Sequence, residues 1–306
     1  MKKYLLILAA LFLVTSGFKT DKPAYSLFDK EGKSEKYEKM MKELEDADIV
    51  LFGESHDNPI AHWLQLEVTK DLFESKGDKL ILGAEMFESD VQVVLDEYLA
   101  GAISTSSFEN ESRPWPNYKT DYKPLVEFAK KNKLKFVATN VPRRYASLVN
   151  SKGFEGLESL SDEAKGFLPP LPVKYDPELN CYKSMMNMEG MGSHVTENFP
   201  KAQAIKDATM AHFILKNWSK NKLFLHYHGS YHSENFESIY WYLKQENPKL
   251  KIVNIHTVSQ ADVEELEKEN TGKADFTICV DEDMTKTRQN SVGQMLNFRV
   301  SGKRHP

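Results

Sequence analysis

The sequence predicts an α/β fold: a mainly parallel central sheet flanked by helices, with a helical insertion or lobe. Three observations carry that prediction. Short apolar runs alternate with longer amphipathic stretches, the pattern of βαβ units. Several of those runs end in polar or ionisable residues, as strands do when their carboxyl edge delivers a pocket. One stretch, from Arg143 to Pro200, holds no convincing strand and breaks the alternation.

In chain order, Lys2 and Lys3 precede an apolar run from Tyr4 to Val14 and the small residues Thr15, Ser16 and Gly17. That layout reads as a signal peptide over residues 1-17. Its apolar run, about eleven residues, is shorter than the roughly 20 a membrane span needs. Export is therefore expected, with a periplasmic or membrane-associated location and no lipoprotein cysteine near the leader. Thr20–Lys33 reads as a loose leader. Strands are expected at Asp48–Phe52, Lys79–Met86, Leu134–Thr139, Leu223–His228, Lys251–His256 and Phe276–Val280. Helical patterns lie between them at Asn58–Ser75, Ser89–Leu99, Tyr122–Asn132, Lys201–Trp218 and Glu234–Gln245. The acidic cluster Asp262–Glu269 reads as a solvated helix face, and Lys286–Pro306 as a polar tail with room for one short strand. The α/β core is thus expected over 20-142 and 201-306, with 143-200 as insertion or lid.

Composition narrows the function. The formal charge is −5 over 306 residues, and loss of Lys2 and Lys3 takes it to about −7. No basic tract or arginine–aromatic interleaving points to nucleic acid. Only two cysteines exist, Cys181 and Cys279, so this is no disulfide scaffold, whether or not they pair.

The strand ends form a constellation. The first run continues into Gly53-Glu54-Ser55-His56, and the second carries Glu85 at its end. The third runs into Asn140, followed by Arg143 and Arg144, and the fourth into His226, His228 and His232. Carboxylates and imidazoles are costly to bury unless paired or functional, so their recurrence at one edge marks a site. On the helix after the insertion, Gln203, Asp207 and Met210 share a face at i, i+4 and i+7, with Asp207 the odd charge among them. Gln65 sits comparably on the helix after His56, whereas nearby His62 reads as a surface residue. His226 and His228 alternate on a strand and so share a face, a candidate ligand pair for a divalent metal. His-Glu-x-x-His, paired cysteines at metal spacing, a Gly-x-Ser-x-Gly elbow and a phosphate loop are all absent.

The insertion carries a different chemistry. Tyr175 and Tyr182 flank Cys181, and Met185, Met186, Met188 and Met191 precede His194. Methionine adapts to large flat ligands, and Tyr, His and Met are side chains that ligate haem iron. An ordinary methionine-rich helical core is the alternative.

Taken in order, these residues resemble a known family. Leu51-Phe52-Gly53-Glu54-Ser55-His56-Asp57-Asn58-Pro59 with Gln65, then Glu85-Met86-Phe87 with Gln92, are similar to the ChaN-like haem-binding uptake family. Tyr98-Leu99-Ala100-Gly101, Trp115, Tyr122-Lys123-Pro124-Leu125 and Ala138-Thr139-Asn140-Val141-Pro142-Arg143 continue the pattern. Gln203, Asp207-Ala208-Thr209-Met210-Ala211 and Gly229-Ser230-Tyr231-His232 complete it. The resemblance implies an exported haem-binding protein working in haem and iron acquisition. It would hold ferric haem by an axial Tyr182, Tyr175 or His194, with His226 and His228 as weaker candidates. Met191 would line the slot, and Arg143, Arg144, Lys174 or Lys183 would meet the propionates. Asn140, Gln203, Asp207 and Met210 would line a pocket. A haem-uptake receptor and a homodimer are the partners it suggests. The wider superfamily, similar to erythromycin esterase-like and Tiki-like hydrolases, implies an alternative: a metal-dependent or acid/base hydrolase using Glu54, His56, Glu85 and His232.

Overall fold

The computed structural model describes residues 22–187 and 197–288. The leader over 1-17, Met188, Met191, His194 and most of the polar tail lie outside the described residues.

Seven strands form one sheet in the order β1-β7-β6-β2-β5-β3-β4. They are β1 (Tyr25–Asp29), β2 (Ile49–Glu54), β3 (Leu80–Glu88), β4 (Lys135–Asn140), β5 (Leu223–Gly229), β6 (Ile252–Gln260) and β7 (Phe276–Asp281). All neighbours run parallel except β1, which is antiparallel to β7. Alternation along each strand feeds two cores, one per face. Val50 and Phe52 join Leu82, Phe136 and Leu225 on one face; Ile49 and Leu51 join Ile81, Val137 and Phe224 on the other.

The helices are α1 (Tyr37–Glu45), α2 (Pro59–Lys76), α3 (Gln92–Leu99), α4 (Thr105–Glu111), α5 (Lys123–Asn132), α6 (Arg143–Lys152), α7 (Asp162–Lys165), α8 (Asn180–Lys183), α9 (Phe199–Asn217) and α10 (Ile239–Glu246). Helix α2 starts where the sequence places it. Asn58 Oδ1 accepts the amides of Ile60 and Ala61 at 2.9 and 3.1 Å, and Pro59 occupies the first turn, where no amide is needed. None of the described helices is long and apolar enough to cross a membrane.

Three expectations are overturned. Thr20–Lys33 is not a loose leader, because Tyr25–Asp29 pairs with β7 and buries Leu27 and Phe28. Asp262–Glu269 is not a helix. Its Val263 and Leu266 turn inward against Phe28, Val258 and Cys279, and Gln260 Nε2 donates to the Asp262 and Glu265 carbonyls. The pattern at Glu234 becomes helical only from Ile239, since Asn235, Phe236 and Ser238 have positive φ. Cys181 and Cys279 are both free and buried.

Between β4 and α9 the described chain carries α6, α7, α8 and short turns but no strand. Helix α8 is tethered from three sides. Glu237 accepts the amides of Asn180 and Cys181 at 3.2 and 2.6 Å, the Tyr231 hydroxyl donates to the Cys181 carbonyl, and the Tyr182 hydroxyl donates to Asp207 at 2.8 Å.

Candidate functional site

The carboxyl ends of β2, β3 and β5 converge on a cavity of about 550 Å³, with Glu54, His56, Glu85, Gly229 and His232 in its lining. Parallel neighbours end in register, so Glu54 of β2 lies opposite Gly229 of β5. Close approach dictates the glycines. A Cβ on Gly53 would come within 2.9 Å of the Ile255 carbonyl and of Ser230 Cα, and one on Gly229 within 2.6 Å of His56 Nε2. The His56 ring therefore lies against bare backbone.

Glu54 is fully buried and fully partnered. Oε1 accepts from His56 Nδ1 at 2.9 Å and from the Tyr122 hydroxyl at 2.6 Å, and Oε2 accepts from the Gln65 amide. Burial alone would raise its carboxyl, but His62, His56 and Tyr122 together hold it below the usual range. His62 is not a surface residue. It is buried, with Nδ1 3.0 Å from Gln65 Oε1 and Nε2 3.2 Å from the His56 carbonyl, which also accepts from Asn117 at 2.8 Å. A π-helical turn over Tyr118–Tyr122 aims Tyr122 at Glu54. The His56 ring packs edge-on against Trp115, with centroids 4.9 Å apart.

A second pair lies beside the first. Glu85 Oε2 accepts the Gly229 amide at 2.8 Å, and Oε1 lies 3.3 Å from His232 Nε2. His232 Nδ1 pairs with Asp207, whose other oxygen takes the Tyr182 hydroxyl. Despite burial, the Glu85 and Asp207 carboxylates push His232 up to about 10, so it is a cation at neutral pH. Burial would raise Glu85, yet His232 and then His56 hold it well below the ordinary value. For His56, burial is outweighed by Glu54 and Glu85, and its affinity for a proton is raised. The resting cavity thus holds the Glu54 and Glu85 carboxylates, the His232 imidazolium and a His56 ring whose proton affinity is raised, a set that can protonate a leaving group or polarise a carbonyl. Lys206, Arg288, Ser230 and Tyr231 also line it.

Known proteins share the sequence pattern and the fold. Residues 40–243 match the family described as haem-binding uptake, Tiki superfamily, ChaN. The chain belongs to this family. ChaN of Campylobacter jejuni, a structure described by its cofacial haem binding, shares the fold at a TM-score of 0.59 and 22% identity, covering 84% of this chain and 97% of that one. A mutant erythromycin esterase, EreC, in its open conformation matches at a TM-score of 0.44 and 12% identity, over 90% of this chain and 86% of that one. The chloroplastic protein RETICULATA-RELATED 5 of Arabidopsis thaliana is 25% identical over 198 residues, 60% of this chain. The chain spans only 26% of the length of that curated relative.

The segment between β4 and α9 borders a second cavity of about 540 Å³, lined by Tyr175, Pro177, Tyr182, Lys183, Met186 and Lys201, among others. The candidate ligands separate here. Tyr182 is fully buried and its hydroxyl is committed to Asp207, with burial and Asp207 pushing its pKa far up. Tyr175 is half-buried, its ring tilted against Tyr182 at 5.4 Å, and no described residue takes its hydroxyl. Arg143 and Arg144 lie elsewhere, in a groove with Arg113 and Trp115, where Arg144 pairs with Asp90. They do not face the insertion cavity.

Other expected residues serve the framework. Met210 is in the core under the sheet, and Asn140 bridges the Glu85 carbonyl and the Val141 amide at 3.0 and 2.8 Å. His226 and His228 share a face as expected, their Nδ1 atoms 3.1 Å apart, with His226 Nε2 2.7 Å from the Thr139 hydroxyl. Both are fully buried and line none of the cavities above. Burial drives both toward the neutral form, His228 down to about 3. Among the described residues, no group of three or more His, Cys, Asp or Glu is placed to hold a metal. Sequence reasoning gave no site role to Tyr122, Asn117, Trp115, Lys206 or Arg288. Trp115 and Tyr122 were visible only as members of the family pattern.

Proposed function

We propose that this protein binds ferric haem as cargo at the insertion cavity, with the Tyr175 phenol toward the iron. The carrying observation is that the ChaN-family match runs through the insertion, where a phenol with no described partner faces a cavity of suitable size. The residues present fit the group. Pro177, Pro200 and the exposed Met186 offer apolar wall, and Lys183 and Lys201 offer cations for the propionates. A phenolate would offset part of the ferric charge. Export through the leader, a place in iron acquisition, delivery to an uptake receptor and a homodimer belong to the same proposal. A ferric-haem titration followed at the Soret band tests it. Saturable binding is expected, weakened at least tenfold by Tyr175→Phe; a folded protein without saturable binding would sink the reading.

The sheet-edge cavity favours a second reading, an acid/base hydrolase. Its warrant is the paired Glu54–His56 and Glu85–His232 arrangement, which haem carriage at the insertion does not use. His56 or His232 would donate a proton while Glu54 or Glu85 acts as base. In an ester and amide screen, hydrolysis abolished by His56→Ala and Glu85→Gln, with haem affinity intact, would establish it. Activity surviving both substitutions would refute it.

A further inference from the structure

A third cavity, of about 620 Å³, shares no lining residue with the two described above. One wall is the proline-rich strap Pro169–Lys174. The other is a single face of α9, Ala208, Ala211, His212 and Leu215, at i, i+3, i+4 and i+7. The two alanines leave room where larger residues would close the slot against the strap. The Tyr242 hydroxyl donates to the Lys174 carbonyl at 2.8 Å and pins the strap to α10.

His212 is the imidazole of this slot, whose other polar lining residues are Lys174, Lys216, Tyr242 and Glu246. It is half-buried, its ring rests edge-on against Phe213, and no described residue bonds its ring nitrogens. Lys174 and Lys216 stand at the rim. Glu246 steadies Lys174 from 2.7 Å, and Lys216 lies over the Phe213 ring. A slot with apolar walls, one free imidazole and two cations at its mouth matches a flat apolar body with carboxylates at one end.

We propose that this groove is a second porphyrin site, taking an iron porphyrin with the His212 imidazole toward the metal and its carboxylates toward Lys174 and Lys216. The inference rests on the haem reading for this family but concerns different residues and a different cavity. Burial, and then the neighbouring Lys216, lower the proton affinity of His212, so its lone pair is free at neutral pH.

Ferric haem and metal-free protoporphyrin IX, titrated into wild type, Tyr175→Phe, His212→Ala and the double variant, test it. Stoichiometry is read from the Soret band and the ligand type from electron paramagnetic resonance. Wild type should take two equivalents, and Tyr175→Phe should keep one with an imidazole signature. His212→Ala should lose that signature and weaken that equivalent at least tenfold, while its far-UV circular dichroism stays native. Metal-free porphyrin should bind the groove more weakly than haem, with no loss on His212→Ala. If His212→Ala matches wild type in stoichiometry, affinity and spectrum, the groove is refuted while the Tyr175 reading stands. No saturable haem binding to wild type would overturn both. Equal affinity for metal-free porphyrin would overturn the role given to His212.

Discussion

Asp207 shows how much one side chain carries here. It is fully buried, takes the Tyr182 hydroxyl on one oxygen and pairs with the His232 imidazolium on the other. Truncating it leaves a buried cation supported by Glu85 alone. Asp207→Ala should therefore cost about 3–5 kcal/mol, read from urea denaturation; a loss below about 1 kcal/mol would refute the pairing. Asp207 was legible in the sequence because a charge stood on an otherwise inward-facing helix stripe. Glu54 and His56 were legible because they follow a buried apolar run. Tyr122 and Asn117 were not, because they lie in and beside an irregular turn, where neither the period of 2 nor that of 3.6 assigns a face. His62 misled for a different reason: one amphipathic helix carries both exposed and inward polar residues, and only Glu54 and Asp121 beside it tell which it is.

Elements were legible to the extent that they are buried on both faces. The strand beginning at Ile49 reads as four consecutive apolar residues before Gly53, all without exposure. Edge strand β1 reads Tyr-Ser-Leu-Phe-Asp, whose polar ends conceal a strand with only Leu27 and Phe28 inside. The acidic loop after β6 misled through Val263 and Leu266, whose spacing imitates a helix. There the Gln260 side chain satisfies carbonyls a helix would have satisfied itself. The cap of α2 was legible, from Asn58-Pro59. Asn58→Ala should cost about 0.5–2 kcal/mol in chemical denaturation, since two first-turn amides lose their acceptor. An unchanged midpoint would show that the cap contributes nothing.

At the scale of the whole molecule, buried histidines set the response to pH from both sides. His226, His228 and His256 are held neutral by burial, the last two down to about 3, whereas the unfolded chain protonates them near 6.5. The unfolded state then binds more protons as pH falls below about 6.5. Stability should drop by about 1.4 kcal/mol per pH unit for each of His228 and His256 between about pH 6 and 4, with His226 acting in the same direction. His232 acts in the opposite sense. Its stabilisation is complete below about 6.5 and is lost as pH rises through about 10. Denaturant midpoints across pH 4 to 10 should trace a dome, and a flat acid limb would contradict neutral burial. The tethering of α8 has a kinetic consequence. Its three anchors, Asp207, Tyr231 and Glu237, sit in α9, after β5 and before α10, so α8 cannot lift without breaking contacts to three separate parts of the core. The wall that α8 gives the insertion cavity should therefore loosen at the pace of local unfolding rather than of surface-loop fluctuation, which amide hydrogen exchange would register as slow exchange in a short surface helix.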